Sequence, residues 1–240
     1  MVWLRERVIE SELLDTASDA DACANLRDLR RINRWLGGHA VVKAEIARCY
    51  SPTDAFSVLD VGAAAGDLAT SLKRQFPLAS IVSCDANFRN LRAAPSPKAA
   101  ADAFRLPFRE HSFDIVTCSL LLHHFSNLDV VSLLRELASL SRRLLLVNDL
   151  ERHPVAHRFL PATRHVFGWH PITVHDGMRS VAAGFQPGEL LALAHRAGLL
   201  TARVRRHRPW FRLSLRSVKA PLPAPIVEST YPSVCQSGSA

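Results

Sequence analysis

Apolar residues recur along the chain with two different periods, and segments of the two kinds alternate through its middle. Short apolar runs typical of buried strands occupy residues 56–61, 80–84, 113–119 and 143–148. Apolar positions spaced three or four apart, as in amphipathic helices, occupy residues 68–76, 87–93 and 130–140. Because strands and helices alternate, the pattern predicts an α/β fold whose mostly parallel sheet carries helices on both faces.

The first 50 residues contain only the helical period. The apolar residues with this spacing are Leu26, Leu29, Ile32 and Leu36. Gly37 and Gly38 end the pattern, and a second helix is predicted over residues 41–49. We therefore expect residues 1–50 to form a helical lid or brace, beside a main domain over residues 51–217.

The C-terminal part of the chain changes character three times. Residues 153–186 are rich in His, Pro and Gly without a clear period, so we predict an irregular insert. A helix follows to residue 197, and residues 199–206 and 210–215 are predicted to form an antiparallel hairpin. Pro, Ser and Ala then dominate residues 218–240, where we predict a disordered tail.

Composition and charge bear on the size of the core and on the cellular compartment of the protein. The 240 residues are 48% hydrophobic, which is enough for an independent core, and the net charge is +8. Five cysteines without a C-x-x-C pair suit a reducing compartment. No apolar run approaches the roughly 18 residues of a membrane span, and charges near the N-terminus argue against a signal peptide. We therefore expect a cytoplasmic protein without a membrane span, and its oligomeric state stays open.

The most informative segment is a buried strand that leads through a turn of small residues into a helix. Asp60 lies near the end of the strand, and Gly62, Ala64 and Gly66 alternate through the turn. Small residues let a ligand lie against the backbone, and the first amides of the following helix are available to it. Nineteen residues after Gly66, Asp85 ends the next apolar strand, where a carboxylate can accept hydrogen bonds from two ribose hydroxyls.

Three further segments follow this turn in an informative order. They are Ala101-Asp102-Ala103, Ser112-Phe113-Asp114-Ile115-Val116 and Leu122-His123-His124-Phe125. Together with the turn, they resemble the class I S-adenosylmethionine-dependent methyltransferases, especially the branch that includes ubiquinone and menaquinone biosynthesis enzymes. The likeness is close over residues 57–150. It implies a Rossmann-like sheet of seven strands and transfer of a methyl group to an oxygen, or an activated carbon, of a small acceptor such as a phenol, quinol or polyketide.

The resemblance also implies individual binding roles. The cofactor-binding residues that it indicates are Asp60, Gly62, Ala64, Gly66, Asp85, Ala86, Asp102, Ala103 and Ser119. In this family the turn wraps the methionine part of the cofactor, the acid matching Asp85 holds the ribose, and the acid matching Asp102 lies near the adenine. Ala64 departs from the family, which has a glycine there. The acceptor pocket is expected between the N-terminal helices and residues 153–186, because additions at strand carboxyl ends shape substrate choice.

A second likeness concerns residues 29–38. This run is similar to a segment of small-molecule methyltransferases that are encoded beside polyketide synthases. Arg34 or Arg31 is a candidate partner for the cofactor carboxylate, since arginine forms bidentate pairs with carboxylates. A solvated helix face is the alternative interpretation of both arginines.

Three histidines are candidate general bases. His123 and His124 follow a strand end at the predicted cofactor cleft, where a neutral imidazole can remove a proton from an attacking hydroxyl. His175, followed by Asp176, lies in the segment expected to cover the acceptor, and Asp149 follows the next strand. Each of these residues also fits a purely structural role as a cap or a packed side chain.

No metal site is predicted. His153 and His157 are four residues apart, but Pro154 lies between them and no acid completes a ligand set. The arginine-rich stretch at residues 203–212 is interpreted as a solvated face of the hairpin, with phosphate binding as the alternative.

Three other functions stay open at this point. RNA or protein methylation fits the net charge of +8, although the chain has no separate RNA-binding module and no Asn/Asp-Pro-Pro-Tyr motif. A nicotinamide-dependent oxidoreductase would favour Gly-x-Gly-x-x-Gly and a Tyr-x-x-x-Lys pair, which the sequence lacks. A protein that binds S-adenosylmethionine without catalysis is also compatible with the motifs. A small-molecule acceptor is favoured over a nucleic-acid partner.

Overall fold

A single seven-stranded sheet organises the molecule. The computed structural model describes residues 5–219, so the predicted tail beyond Lys219 lies outside the described residues. The strands are β1 (Ser57–Val61), β2 (Ser80–Asp85), β3 (Lys98–Ala100), β4 (Phe113–Ser119), β5 (Ser141–Leu150), β6 (Arg203–His207) and β7 (Arg212–Val218). Their order is β3-β2-β1-β4-β5-β7-β6; β1 to β5 are parallel, and β7 is antiparallel to both neighbours. The predicted fold class, including the C-terminal hairpin, is confirmed.

Helices cover both faces of the sheet. Within the described residues they are α1 (Asp19–Trp35), α2 (Gly38–Ile46), α3 (Asp67–Gln75), α4 (Phe88–Leu91), α5 (Asn127–Leu140), α6 (Pro154–Phe167), α7 (Pro171–Ala183) and α8 (Pro187–Arg196). Short 3₁₀ helices occupy Leu13–Thr16 and Leu122–His124. Apolar residues of α5 and α8 form one core cluster with the sheet, and those of α2 and α3 form the other. Although α2 falls within the predicted lid, its residues Val42 and Ile46 are buried in the second cluster.

Local sequence signals explain where several helices begin. The Ser18 hydroxyl accepts a hydrogen bond from the amide of Asp21 at the start of α1, and Ser126 caps α5 in the same way. At the start of α8, Gln186 and Glu189 form a capping box. These contacts satisfy amides that have no partner within the helix, so the caps fix both the position and the direction of each helix.

Residues 153–186 correct the sequence interpretation, because they are helical rather than irregular. They contain α6 and α7. Pro154 and Pro171 stand at the first helical positions, where the missing N–H has no intrahelical partner to lose. Leu160 is the one buried residue of α6, so this helix lacks the apolar stripe from which a period is recognised.

Two further details were not predicted. The edge strand β3 has three residues, too few to produce an alternating pattern. Val218 still belongs to β7 and pairs with Leu144, so the sheet reaches one residue beyond the expected boundary at residue 217. No helix in residues 5–219 combines the length and the apolar character that crossing a bilayer requires.

Candidate active site

A cavity of about 450 Å³ opens at the carboxyl ends of β1, β4 and β5. The floor contains the turn that follows β1 and the last residues of β4 and β5. Apolar side chains of α1 and α6, among them Leu29, Leu36, Phe159 and Leu160, line the walls. Ligands of open α/β sheets bind at this edge, and the volume lies in the range of small-molecule pockets.

The turn after β1 has the backbone that its small residues predict. Gly62 and Gly66 have φ angles of 74° and 72°, a region that glycine enters without steric cost. A Cβ atom at Gly66 would lie 2.7 Å from Pro95, so no side chain fits there. Ala64 also has a positive φ, of 45°, and therefore carries backbone strain. Gly62 and Ala64 line the cavity, whereas Gly66 shapes the turn from behind.

Asp60 is a buried acid in the lining of the cavity. Its side chain is 2% exposed and lines the cavity, and Oδ2 accepts no hydrogen bond within the described part of the chain. Burial, with a smaller contribution from Asp85, raises the pKa of Asp60 to about 7. A buried carboxylate of this kind is suited to receiving a cationic ligand group.

The predicted nucleoside-binding residues lie together at the carboxyl ends of β2 and β3. Asp85 pairs with Ala100 in the sheet, and the chain reaches Asp102 two residues later. The Asp85 carboxylate accepts hydrogen bonds from the amides of Ala64 and Asn87, both at 2.8 Å. It therefore ties the turn to the end of β2. The four predicted residues beside the cavity, rather than in its lining, are Asp85, Ala86, Asp102 and Ala103.

The end of β4 forms a second wall of the site. Ser119 lines the cavity, and its Oγ is buried without a hydrogen-bond partner among residues 5–219. Leu120 follows with a positive φ of 56°, which is unusual for a leucine. Strained residues of this kind cluster at functional sites. The strained turn directs the chain into the 3₁₀ helix that carries His123.

His123 and Asp149 form a buried hydrogen-bonded pair. His123 is 3% exposed and lines the cavity, and its Nδ1 lies 2.7 Å from Asp149 Oδ1. Asp149 also accepts hydrogen bonds from the amides of Leu122 and Leu150, so the chain positions both partners. Burial alone would raise the pKa of Asp149, but the charge and hydrogen bond of His123, together with the hydrogen bond from the Leu150 amide, hold it below its usual value. An ionised Asp149 requires Nδ1 to donate, which leaves Nε2 as the acceptor of a neutral ring.

His124 lies beside His123 but in a different environment. The two rings are 4.3 Å apart, and His124 Nδ1 is 4.0 Å from Glu12 Oε1. Within the described residues, Glu12, His123 and His124 each bring a possible ligand atom to within 4.8 Å of the others, a grouping that the sequence did not suggest. Glu12 also accepts a hydrogen bond from Ser180, at 2.5 Å. Geometry alone therefore gives this cluster either a polar packing role or a metal-binding role.

Besides Gly66 and the four residues at the ends of β2 and β3, His175 and Arg34 are predicted site residues that do not line the cavity. His175 bonds to Asp176 at 3.0 Å, while the Asp176 carboxylate accepts the amides of Leu13 and Leu14. That pair therefore anchors the N-terminal 3₁₀ helix, and His175 does not line the cavity. Arg34 is exposed on α1 and does not line it either.

Neighbouring arginines are already engaged. Arg31 donates to Asp28 and to the Phe167 carbonyl, and Arg30 pairs with Asp67 at 3.0 Å. Arg30 lines the cavity, so it rather than Arg34 is the arginine of α1 that faces the site.

The arginine-rich hairpin is exposed at Arg203, Arg205, Arg206 and Arg208, as a solvated face would be, and only its Arg212 differs. Arg206 and Arg208 donate to Glu151, a buried carboxylate. Arg205 lies 3.6 Å from the buried Glu45. Arg212 is itself buried and lines the cavity, a residue that sequence reasoning missed. In the sequence, Arg212 looks like one more arginine of the alternating stretch. It differs because it begins the interior strand β7, whereas β6 is an edge strand.

Comparison with known proteins assigns the family. Residues 59–143 match the sequence profile of a family described as a methyltransferase domain. Residues 59–143 of the chain carry this methyltransferase domain. The matched residues run from β1 through the first residues of β5, and they include both Asp60 and His123. The family predicted from the sequence is thereby confirmed.

One curated relative of this methyltransferase domain is a demethylmenaquinone methyltransferase of Streptomyces avermitilis. It is 32% identical over 120 residues, which are 48% of this chain and 51% of that protein. The chain thus matches about half the length of this relative.

Solved structures show the same fold at low sequence identity. The plantazolicin methyltransferase BamL, in complex with a triazolic desmethyl analogue and S-adenosylhomocysteine, has a TM-score of 0.65 at 12% identity, covering 86% of this chain and 92% of that one. Magnesium protoporphyrin IX methyltransferase of Synechocystis PCC 6803, with bound S-adenosylhomocysteine, has a TM-score of 0.54 at 16% identity, covering 77% and 83%. S-adenosylmethionine is the cofactor of this family.

Proposed function

We propose that the protein transfers a methyl group from S-adenosylmethionine to an oxygen, or an activated carbon, of a small apolar or aromatic acceptor such as a phenol, quinol or polyketide. The observation that carries the proposal is the hydrogen bond between His123 and the buried Asp149, since His123 lines the same cavity as Asp60, Gly62 and Ala64 of the turn. A candidate general base and a candidate cofactor-binding turn are thus within one cavity.

The residues around the turn fit the cofactor. Asp60 offers a buried carboxylate whose Oδ2 has no hydrogen-bond partner in residues 5–219, and S-adenosylmethionine has an ammonium and a sulfonium. Gly62 has a positive φ and lines the cavity without a side chain, so a ligand can lie close to the backbone there. Asp85 and Asp102, at the ends of neighbouring strands, are our candidates for the ribose and adenine ends.

His123 is our candidate for the general base. When bound, S-adenosylmethionine supplies the methyl group and leaves as S-adenosylhomocysteine, so the protein must align the acceptor and take up one proton. Nε2 of His123 accepts that proton from the acceptor hydroxyl, and Asp149 stabilises the imidazolium that results. Burial of the pair excludes water, and alignment supplies most of the rate enhancement.

The cavity favours a small acceptor. Its walls are largely apolar, and its volume of about 450 Å³ suits a compact aromatic molecule better than a folded macromolecule. The curated relative is named as a methyltransferase of demethylmenaquinone, which is a small molecule. RNA or protein methylation draws less support, because arginines of the hairpin that would attract such a partner are paired with Glu45 and Glu151.

Binding is the first experiment. Calorimetric titration with S-adenosylmethionine and S-adenosylhomocysteine, with NAD and NADP as controls, tests the cofactor. Binding of the first pair alone supports the proposal, and binding of neither contradicts it. Screening phenolic, quinol and polyketide acceptors, with RNA and protein fractions alongside, then identifies the class that is methylated.

The base is tested separately. We expect His123→Gln to lower kcat by roughly 10²-fold or more, the usual contribution of a general base, while S-adenosylhomocysteine affinity changes less than about twofold. Asp149→Asn should act in the same direction, and His165→Gln, at an exposed position of α6, is the matched control. Activity that survives a chelator would favour the base over a metal at Glu12, His123 and His124. Full activity of His123→Gln would remove His123 from the mechanism.

A further inference from the structure

Arg212 is a buried cation in the wall of the cavity. It begins β7, its side chain is 2% exposed, and it lies in the cavity lining. Its Nε donates weakly to the Leu36 carbonyl at 3.4 Å, and Nη1 has no hydrogen-bond partner among the described residues. Asp149 is the acid whose charge acts on it, but that carboxylate is already bonded to His123. The described chain therefore leaves the guanidinium without a matching anion.

Asn148 presents a second unpartnered polar group beside it. In the antiparallel pairing of β5 with β7, Asn148 lies opposite Ser214, and Leu150 lies opposite Arg212. Residues two apart on a strand point to the same side, so Asn148 and Arg212 share one face of the sheet. Asn148 is fully buried and donates through Nδ2 to the Gly38 carbonyl, while its Oδ1 has no partner in residues 5–219. Both residues line the cavity.

A buried charge without a partner is costly, so its presence calls for an explanation. Burial lowers the pKa of Arg212 to about 10, with Asp149 opposing the shift, and the side chain is therefore still charged near neutral pH. A guanidinium fits the two oxygens of a carboxylate in a bidentate pair. Asn148 Oδ1 is placed to accept a hydrogen bond from a neighbouring hydroxyl.

We propose that Arg212, with Asn148 beside it, forms a subsite for a carboxylate of a ligand that enters the cavity. The inference rests on the proposed function, which supplies two possible carriers of that group: the acceptor and the methionine part of the cofactor. The sheet order favours the acceptor, because β4 and β5 separate β7 from the strand that leads into the turn. The acceptor is then an apolar or aromatic acid rather than a neutral molecule.

Two pairs of probes distinguish the carriers. S-adenosylhomocysteine and methylthioadenosine share the nucleoside, but only the first has a carboxylate. Naphthoate and naphthamide share the aromatic ring system, but only naphthoate has a charged carboxylate. Both are titrated at saturating S-adenosylhomocysteine. The full-length protein is compared with Arg212→Met, and with Arg203→Met as a matched loss of charge on the exposed strand β6 of the same hairpin.

We expect the unmodified protein and Arg203→Met to prefer naphthoate over naphthamide by about tenfold or more, the usual strength of a hydrogen bond to a charged group. Arg212→Met should abolish this preference and leave the affinity for S-adenosylhomocysteine unchanged. If Arg212→Met instead weakens S-adenosylhomocysteine by about tenfold and spares methylthioadenosine, the carboxylate belongs to the cofactor. If Arg212→Met changes neither the preference for naphthoate over naphthamide nor that for S-adenosylhomocysteine over methylthioadenosine, the proposed subsite is wrong.

Folding and the proposed function are checked independently. Because Arg212→Met removes an unpaired buried charge, its ligand-free stability to urea should be equal to or higher than that of the unmodified protein. If it fails to fold, Arg212→Lys, which keeps the charge but loses the bidentate geometry, should still reduce the naphthoate preference. If the protein does not bind S-adenosylhomocysteine but still prefers naphthoate, and Arg212→Met abolishes that preference, the proposed function is contradicted while the carboxylate subsite is supported.

Discussion

At the scale of single residues, we expect the protonation of Asp60 to control how well the cavity binds a cationic ligand group. Its pKa is raised to about 7 by burial and by Asp85, so the acid is half neutral near physiological pH. An ammonium group binds the ionised form. Raising the pH from 6 to 8 increases the ionised fraction, so we expect S-adenosylhomocysteine affinity to rise by about tenfold over that interval.

Calorimetry at pH 6, 7 and 8 measures this change. Asp60→Asn cannot ionise, so it should bind weakly and with little dependence on pH. An affinity of the unmodified protein that stays flat over this interval would mean that Asp60 does not receive the ligand cation.

Ala64 carries strain that glycine would relieve. Its φ of 45° destabilises the folded state of an L-residue by about 1–2 kcal/mol. Glycine removes this strain, but its greater flexibility stabilises the unfolded chain by about 0.4–1 kcal/mol and so offsets part of the gain. We therefore expect Ala64→Gly to raise the free energy of unfolding by roughly 0.5–1 kcal/mol, measured by urea denaturation. Ala65→Gly is the control, since Ala65 has no positive φ and should lose stability. A loss of stability in both variants would argue against strain at Ala64.

Residue roles could be predicted where a local motif specifies them. The turn and its resemblance were enough to name Asp60, Gly62 and His123, which all line the cavity. Arg212 was missed because its burial depends on β7 lying between β5 and β6, a strand order that is not visible in the local sequence. The likeness suggested Arg34 for the cofactor carboxylate, but the phase of α1 places Arg34 outside the cavity lining.

At the scale of elements, Arg7 joins the N-terminal segment to the loop that carries His123. Its Nε donates to the Ala183 carbonyl at 2.7 Å, and Nη2 donates to the carbonyls of His123 at 3.2 Å and Phe125 at 3.0 Å. Nη1 donates to Asn127 Oδ1 at 2.7 Å. One side chain thus links the end of α7 to the 3₁₀ helix that carries His123, the proposed base.

We expect Arg7→Met to lower the free energy of unfolding by about 2 kcal/mol, the scale of lost hydrogen bonds to a charged group. It should also lower kcat more than S-adenosylhomocysteine affinity, because the displaced residue is His123. Arg5→Met is the control, since Arg5 is exposed and contributes a backbone carbonyl to Arg152. Urea denaturation and steady-state kinetics measure the two effects. Equal losses of stability and kcat in Arg7→Met and Arg5→Met would mean that Arg7 has no specific role in positioning His123.

Elements were predictable from the sequence where one face is buried. Strands β1, β2, β4 and β5 and helices α3 and α5 bury apolar residues in regular positions, so the pattern identified each of them. In α6 the buried stripe is absent, and Pro161 stands inside the helix. The helix exists because it packs on α7 and α1 over the cavity, a tertiary cause that no local period records.

At the scale of the whole molecule, buried cysteines report on the stability of the sheet. Cys84 and Cys118 are buried in β2 and β4, whereas Cys23 and Cys49 are exposed. Burial, with Asp85 and Asp60, raises the pKa of Cys84 to about 11, and burial raises that of Cys118 well above its usual value. Because the thiolate is the reactive form, both buried thiols should resist alkylation until the protein opens.

We expect peptide-resolved mass spectrometry to find fast alkylation of Cys23 and Cys49 and slow alkylation of Cys84 and Cys118. S-adenosylhomocysteine at 100 times its Kd should slow the buried pair by about 100-fold if labelling requires global unfolding, because the ligand binds the folded state alone. The Cys84 carbonyl accepts the amides of Gly62 and Ala63, so a local opening of the turn would expose Cys84 before Cys118. Equal slowing of both thiols would therefore mean that the turn and the sheet unfold as one cooperative unit, and labelling unaffected by the ligand would contradict binding to the folded sheet.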